Sequence, residues 1–116
     1  MWQQCVAAVE NNQMNVHYLP FLKVLSKDGA FKNIRMSMES IGTFVTISGT
    51  YAILSDSTYV ENIEKSVFDG MSGTKSMMEY RFLDDEWGEF SWTGTDGVKR
   101  KELWHRVAAP KKEKSK

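Results

Sequence analysis

The sequence predicts an all-β protein, and three observations support that prediction. Apolar and β-branched residues recur at spacing two along most of the chain. The breaks between these runs are rich in Gly, Asp, Asn and Ser, which favour turns. No segment carries the apolar period of a long helix. Seven or eight short strands predict an antiparallel meander that removes its edges by curling into a barrel, with a two-sheet sandwich as the alternative.

The strands are predicted in order from the N-terminus, where the first one starts at Trp2. The clearest turn contains Asp28 and Gly29, because a glycine there supplies the positive φ that a tight turn needs. Three hairpins and one returning strand follow. Their predicted strands are 21–25 with 31–35, 49–54 with 58–63, and 76–83 with 89–93, and strand 98–107 pairs back through the turn at 95–97.

One short helical turn is expected within residues 61–73, around residues 64–68, where Gly70 and Gly73 would stop it. It would serve as a lid or a connection. No internal repeat or linker divides the chain. Residues 1–108 are therefore predicted to form one domain, and residues 109–116 a basic, flexible tail.

Composition excludes several classes of protein. The chain has 116 residues, 41% of them hydrophobic and 12% aromatic, which is enough apolar area to exclude disorder across the whole chain. Its single cysteine cannot form an internal disulfide. Lys plus Arg and Asp plus Glu are both 15, and four lysines stand in the tail, so the predicted domain is mildly acidic. Because the predicted domain is mildly acidic, we expect no nucleic-acid partner. Because no stretch approaches the roughly eighteen apolar residues of a membrane span, we also expect no membrane-spanning segment.

Several short motifs, in this order and spacing, resemble a lipocalin-like family of uncharacterised bacterial domains found mainly in Bacteroides and their relatives. The motifs are residues 31–34 after the Asp-Gly turn, residues 49–56 followed by 59–61, and residues 103–107. The resemblance spans most of residues 2–107. It implies an antiparallel lipocalin-like barrel or half-open barrel of about eight strands, often exported, with no established activity. Export to the periplasm or cell surface is expected from this resemblance alone.

The wider calycin pattern, to which that family is similar, places a tryptophan in the first strand and an arginine near the end of the last. Trp2 and Arg106 stand at those positions. A guanidinium over an indole gains cation–π attraction of about 1 kcal/mol, and its other donors can satisfy backbone carbonyls. We interpret both residues as structural, closing the base of the barrel, although Arg106 could instead lie on the solvent face beside Glu102.

Aromatic residues and methionine supply the predicted lining of the interior. Alternation puts Gly49, Tyr51 and Ile53 on one strand face and Ala52 and Leu54 on the other. Small barrels are either filled by side chains or hold one small ligand, and alternation alone does not separate these outcomes. The residues predicted to line a ligand site are Tyr51, Tyr59, Glu61, Met78, Tyr80, Phe90 and Trp92.

Glu61 is the most informative member of this set. It stands between Tyr59 and Ile63 on one strand face, so it is interior if they are, and a buried carboxylate then needs a charged or hydrogen-bonding partner. It could contact the polar end of a ligand. An edge position or a shifted register would instead expose it.

Signals for catalysis and for bound metals are weak. Cys5, His17 and His105 show no nucleophile motif, and their spacing is not that of a zinc site. The acidic run at 84–89 lacks the alternating oxygen ligands of a calcium loop. We therefore predict no enzyme activity, no cofactor and no metal. Hydrolysis or isomerisation by Glu61 with His17 or His105 is the least favoured hypothesis.

Two hypotheses for function follow. In the first, the domain is a non-catalytic module that binds a small apolar or amphipathic ligand in the barrel. In the second, the barrel is filled and the domain self-associates through a strand edge or an apolar outer face that includes Leu54, Leu103 and Val107. A homodimer is compatible with both. A connected cavity of about 300 Å³ or more would favour the first.

Overall fold

The computed structural model describes residues 1–37, 42–94 and 96–107. The predicted tail at 109–116 lies outside the described residues, as does Thr95 of the last predicted turn. All regular structure in the described part is β. The strands are β1 (Trp2–Glu10), β2 (Gln13–Leu25), β3 (Ala30–Arg35), β4 (Phe44–Ile53), β5 (Thr58–Ser66), β6 (Lys75–Phe82), β7 (Trp87–Thr93) and β8 (Lys99–Arg106).

The eight strands form a closed antiparallel barrel in sequence order. Each strand pairs with the next, and β8 returns to β1 through the pairs from Trp2–Arg106 to Cys5–Leu103. The predicted all-β barrel of about eight strands is therefore confirmed, in its closed form rather than as a half-open barrel or a sandwich. Closure leaves no unpaired edge strand in the ring.

The predicted hairpins are confirmed, although the strand bounds differ from the prediction. Several strands start earlier or end later than predicted, whereas β4 and β6 end one residue earlier and β8 (Lys99–Arg106) is shorter than the predicted strand 98–107. In the first, Phe21 pairs with Arg35 and Leu25 with Phe31. A further hairpin joins β1 and β2 through Asn11 and Asn12, which both have positive φ. A two-residue hairpin turn needs this conformation, and asparagine adopts it more readily than most residues.

The prediction of a helical turn around residues 64–68 is wrong, because the chain continues as strand to residue 66 and then bends. β5 runs to Ser66, whose partner in β4 is Ile47, and Lys65 pairs with Ser48. The ladder to β4 thus takes up the backbone hydrogen bonds that a helical turn would need. Bends and turns then connect β5 to β6, without a helix among the described residues.

Gly49 determines the register between β4 and β5. The register between these strands shifts at Ser48 and Gly49, and a Cβ atom added at Gly49 would collide with the backbone carbonyl oxygen of Asn62. Only glycine allows such close backbone approach. The resulting register directs Tyr59, Glu61 and Ile63 into the barrel, where all three are buried.

The turns lie at two ends of the barrel, a lower end and an upper end. The lower end carries the turns at 26–29, 55–57 and 84–86, together with the start of β1 and the end of β8. The upper end carries the turns at 11–12 and 96–97 and the longer connection at 67–74. Lys23, Asn33 and Ile47 are neighbours across β2, β3 and β4, so three strands bring them to one level of the wall.

Candidate functional site

Four buried aromatic side chains occupy the middle of the barrel: Phe31, Tyr59, Phe90 and Trp104. The ring centroids of Tyr59 and Phe90 are 6.1 Å apart, as are those of Phe90 and Trp104. Aromatic pairs at this separation stabilise a core beyond the area they bury. These rings form a plug between a cavity at the upper end and a smaller pocket at the lower end.

The upper cavity has apolar walls above a polar floor, and its volume is about 200 Å³. Isoleucine, methionine and tryptophan side chains form the walls, whereas lysine, glutamate and asparagine form the floor. Such a combination orients an amphipathic molecule, because the polar groups fix one end while the walls cover the other. The lining residues are Lys23, Asn33, Ile47, Glu61, Ile63, Met71, Ser76, Met78, Trp92 and Glu102.

A buried ion pair lies at the floor. Lys23 Nζ donates to Glu61 Oε2 at 2.5 Å, and the Tyr59 hydroxyl donates to the same oxygen at 2.8 Å. Lys23 and Glu61 are only 3% and 4% exposed. The ammonium also lies 5.7–6.0 Å from the ring centroids of Phe31, Phe90 and Trp104. Lys23 is therefore already supplied with both a carboxylate and aromatic faces.

The environment of Tyr59 keeps its phenol protonated. Burial is the largest cause, followed by the charge of Glu61, the hydrogen bond to it and the charge of Glu102, and together they raise the pKa of Tyr59 far above its usual range. A protonated hydroxyl can only donate to the Glu61 carboxylate. Tyr59 is thus a fixed hydrogen-bond donor to Glu61 at the floor.

Glu102 is a second carboxylate in the cavity, and its direct partners are neutral. Trp104 Nε1 donates to Oε1 at 3.1 Å and Gln4 Nε2 donates to Oε2 at 3.1 Å. Burial raises the pKa of Glu102; the Lys23 charge and the Trp104 hydrogen bond oppose this shift, Glu61 adds to it, and Gln4 opposes it. The described residues therefore give the floor two carboxyl groups and one ammonium.

Asn33 adds an unsatisfied acceptor to the same floor. Its side-chain Oδ1 is buried and has no hydrogen-bond partner among the described residues. Leaving such a group unpaired costs about 1–3 kcal/mol. A donor that reaches this oxygen would recover part of that cost.

The wall of the cavity opens between β6 and β7. Their ladder runs from Phe82–Gly88 up to Glu79–Ser91, whereas β6 pairs with β5 as far up as Lys75 and β7 pairs with β8 as far up as Thr93. A groove of about 510 Å³ lies outside this gap. It shares Ile63, Met71, Ser76 and Trp92 with the cavity, so the two spaces adjoin.

The lower pocket is smaller and apolar. It has a volume of about 140 Å³ and lies beneath the plug. The Arg106 guanidinium carbon is 4.8 Å from the Trp2 ring centroid, and Phe82 stacks on Trp2 with a centroid distance of 5.7 Å. These contacts cover the base of the barrel. The lining residues are Trp2, Leu25, Ile53, Tyr59, Tyr80, Phe82 and Phe90.

The structure divides the seven predicted lining residues between the two ends. Glu61, Met78 and Trp92 line the upper cavity, whereas Tyr59, Tyr80 and Phe90 line the lower pocket. Tyr51 lines neither, because its hydroxyl donates to Ser26 O at 2.7 Å and its ring packs edge-on against Tyr59. The predicted residues therefore do not form one continuous surface.

Sequence reasoning missed three polar residues of the floor: Lys23, Asn33 and Glu102. The same usable signal existed for all three. Lys23 alternates with Phe21 and Leu25, and Glu102 alternates with Trp104, so each shares the inward face of apolar neighbours. Asn33 likewise alternates with the buried Phe31, whereas the lack of a partner for its side-chain oxygen could not be predicted from the pattern.

The two histidines make their contacts outside the cavity. His17 Nε2 lies 2.6 Å from Glu10 Oε1 on the exposed hairpin. His105 Nδ1 lies 3.1 Å from the Tyr18 hydroxyl, and its ring packs on Trp87 with a centroid distance of 4.3 Å. These contacts pair the histidines with residues other than Glu61.

Residues 1–37, 42–94 and 96–107 contain no group of three or more His, Cys, Asp or Glu side chains placed to hold a metal ion. They also contain no helix of the length and hydropathy needed to cross a membrane.

Comparison with known proteins places the chain in a family. It belongs to the domain of unknown function DUF4488, whose family model matches residues 1–115. A comparison with curated proteins finds no match. The family assignment covers the whole barrel and carries no statement about activity.

Proposed function

We propose that this domain is a non-catalytic, lipocalin-like binding module that takes a small amphipathic molecule into the upper cavity. The observation that carries the proposal is the charged floor beneath an accessible, apolar-walled space. Replacing a buried ion pair with apolar residues is often neutral or stabilising. Stability alone therefore gives little reason to keep Lys23, Glu61 and Glu102 beneath such a space.

The size of the cavity limits what enters it. A water molecule occupies about 30 Å³ of liquid, so this space of about 200 Å³ equals roughly seven waters. The cavity alone is smaller than the ~300 Å³ that would favour a ligand site, and it reaches that size only together with the adjoining groove of about 510 Å³. The ligand is accordingly a small molecule, or one end of a longer molecule whose remainder lies in the groove between β6 and β7. Met71 and Trp92, which line both spaces, would contact the part that crosses the wall.

The proposal is tested by titrating the isotope-labelled protein with hexanol, hexanoate and hexylamine and following backbone amide and indole resonances by NMR. We expect at least one probe to bind saturably, with a dissociation constant between about 1 mM and 1 μM, or roughly −4 to −8 kcal/mol. The largest shifts should map to Ile63, Met78 and Trp92. If none of the three probes binds, or if the shifts map only to the outer surface, the proposal is wrong.

A matched pair of variants makes the test specific for the cavity. Met78→Trp fills the buried upper space, whereas Met14→Trp adds the same ring to a residue that is 66% exposed on the β1–β2 hairpin. Binding should be lost in the first variant and unchanged in the second. Circular dichroism of both variants separates loss of the cavity from loss of the fold.

The second candidate function is self-association, and exposed apolar side chains favour it. They are concentrated on the β1–β2 hairpin at Val6, Val9, Met14, Val16 and Tyr18. Of the outer-face residues suggested by the sequence, Leu54 is exposed, whereas Leu103 and Val107 are half-buried. Sedimentation equilibrium over a wide concentration range tests this candidate. A monomer at every concentration would eliminate it.

A further inference from the structure

The floor of the upper cavity carries more acidic than basic groups, and this difference favours one charge on the head group of the ligand. Among the described residues that line it, Lys23 is the single cation, whereas Glu61 and Glu102 are both carboxyl groups. Lys23 forms an ion pair with Glu61 at 2.5 Å. Within the described part of the chain, the direct hydrogen-bond partners of Glu102 are the neutral donors Gln4 and Trp104. A positively charged head group is therefore the one that this floor favours.

An anionic head group would meet two obstacles at this floor. It would have to compete with Glu61 for an ammonium that is 3% exposed and surrounded by three aromatic rings. It would also approach Glu102 without a cation to neutralise it. Like charges at close range in a poorly solvated site disfavour binding strongly.

A cationic head group meets the opposite conditions. A carboxylate has about four lone-pair sites, and two donors are directed at Glu102, so it retains capacity to accept from a third. The Asn33 Oδ1 atom at the same floor is an acceptor without a partner among the described residues. A primary ammonium carries three N–H donors and no acceptor, which matches a set of acceptors.

The walls above the floor suit the rest of such a molecule. Trp92 is half-buried and borders both the cavity and the groove, so an incoming cation passes beside an indole ring, the aromatic group that attracts cations most strongly. Ile47, Ile63 and Met78 offer apolar contact for an alkyl chain. Methionine adapts well to irregular apolar shapes.

We propose that the upper cavity selects small primary amines with an apolar tail, and that Glu102 receives the ammonium group. This inference rests on the proposed binding function and names the chemical class of its ligand. Glu102 is the charge-selecting residue, Asn33 supplies a second acceptor, and the Lys23–Glu61 pair closes the floor beneath them.

The test compares hexylamine, hexanol and hexanoate, which share one alkyl chain and differ in the charge of the head group. Near neutral pH and at moderate ionic strength, we expect hexylamine to bind at least about tenfold more tightly than either of the others, because a hydrogen bond between an ammonium and a carboxylate is stronger than one between neutral groups. In the wild-type protein, hexylamine should also shift the Trp104 indole N–H resonance, because that group donates to Glu102. This second measurement needs no variant.

Glu102→Gln tests the residue assignment, with Glu86→Gln as its matched control. Glu86 is exposed at the lower end, so its replacement changes the net charge equally without altering the cavity. Glu102→Gln should weaken hexylamine binding by about tenfold or more and change hexanol binding by less than about threefold. Glu86→Gln should leave both affinities unchanged.

The outcomes distinguish this inference from the proposed function. If hexanol or hexanoate binds in the cavity as tightly as hexylamine, amine selection is wrong and the binding function stands. If hexylamine is preferred but neither Glu102→Gln nor the Trp104 resonance responds, the assignment to Glu102 is wrong. If no probe binds, both proposals fail.

Discussion

The two ends of this barrel have interiors of opposite character, one apolar and one charged. At the lower end, aromatic rings surround Trp2, and Arg106 covers the indole at 4.8 Å from its centroid. At the upper end, charged groups lie beneath a cavity of about 200 Å³ that adjoins a gap between two strands. The lower end is built mainly from dispersion and area burial, whereas the upper end depends on the pairing of buried charges.

This difference indicates where stability and function are separated. Packed apolar groups contribute to stability without a partner of specific charge. Buried charges contribute little net stability, although breaking their pairing is costly. Replacements at the lower end should therefore act on folding alone, and replacements at the upper end on both folding and binding.

The largest expected effect comes from separating the buried ion pair. Glu61→Leu leaves the Lys23 ammonium buried beside aromatic rings without its carboxylate, which should lower the free energy of unfolding by about 3–5 kcal/mol. The double replacement of Lys23 by Met and Glu61 by Leu should recover most of that loss. Urea denaturation of the single and double variants measures both values. Equal stability of the two variants would contradict the account.

A tryptophan replacement at each end gives a direct comparison. Trp2→Ala removes a ring that is 7% exposed and contacts Phe82, Phe90 and Arg106, so it should cost about 3 kcal/mol or more. Trp92→Ala removes a half-buried ring at the rim of the cavity and should cost about 1 kcal/mol. Thermal and urea unfolding measure both. If both replacements lower the free energy of unfolding equally, the proposed difference between the two ends is wrong.

Gly49→Ala tests the strand register that holds the upper end together. Its methyl group would collide with the Asn62 carbonyl oxygen, and overpacking of this kind costs about 1–3 kcal/mol. Ser48→Ala, one residue earlier in β4, is the control and should have little effect. If the register shifts to relieve the collision, amide resonances of Glu61 and Ile63 will move even where stability is retained.

Much of the fold follows from local patterns, whereas the assembly of the site does not. Alternation placed Tyr59, Glu61 and Ile63 on one face because strand side chains point to opposite sides in turn. The partner of Glu61 was not predictable in the same way. Lys23 lies in β2 and Glu61 in β5, and these strands meet only across the closed interior, at a level set by strand tilt and register shifts.

The division of the predicted lining has the same origin. Met78 and Tyr80 alternate on one face of β6, and the sequence pattern treats them as equivalent. The plug between them separates the cavity from the lower pocket, so two residues on one strand face reach different sites. The height of a residue in a barrel depends on all eight strands, whereas its inward direction depends on its own strand alone.

Arg106→Met is a smaller change at the lower end. It retains much of the apolar length of the side chain and removes the guanidinium from the face of Trp2. Because Arg106 is exposed, the loss should be about 0.5–1 kcal/mol. Urea denaturation should detect this difference, and ligand affinity in the upper cavity should not change. An effect on binding would show that the two ends are coupled.

The smallest expected effect on stability is a pH dependence that originates at Glu102. The groups that face it are the Lys23 ammonium from β2, the Glu61 carboxyl group and the Tyr59 hydroxyl from β5, the Gln4 amide from β1 and the Trp104 indole from its own strand. Burial, the dominant cause, raises the pKa of Glu102 above its ordinary 4.5. The folded protein then holds the proton more tightly than the unfolded chain does, so stability falls as the pH rises from 4.5 through the raised pKa.

Glu102→Gln removes this titration and should flatten the corresponding part of the curve. The variant should gain stability relative to the wild type as the pH rises through that window, and lose the advantage as the medium becomes acidic. The effect is small because Glu102 is only partly buried and Lys23, Trp104 and Gln4 oppose the shift. Urea midpoints at a series of pH values measure it, with Glu86→Gln as the exposed control. A wild type that becomes more stable than Glu102→Gln as the pH rises through this window would contradict the prediction, since it would mean that folding favours the ionised carboxylate.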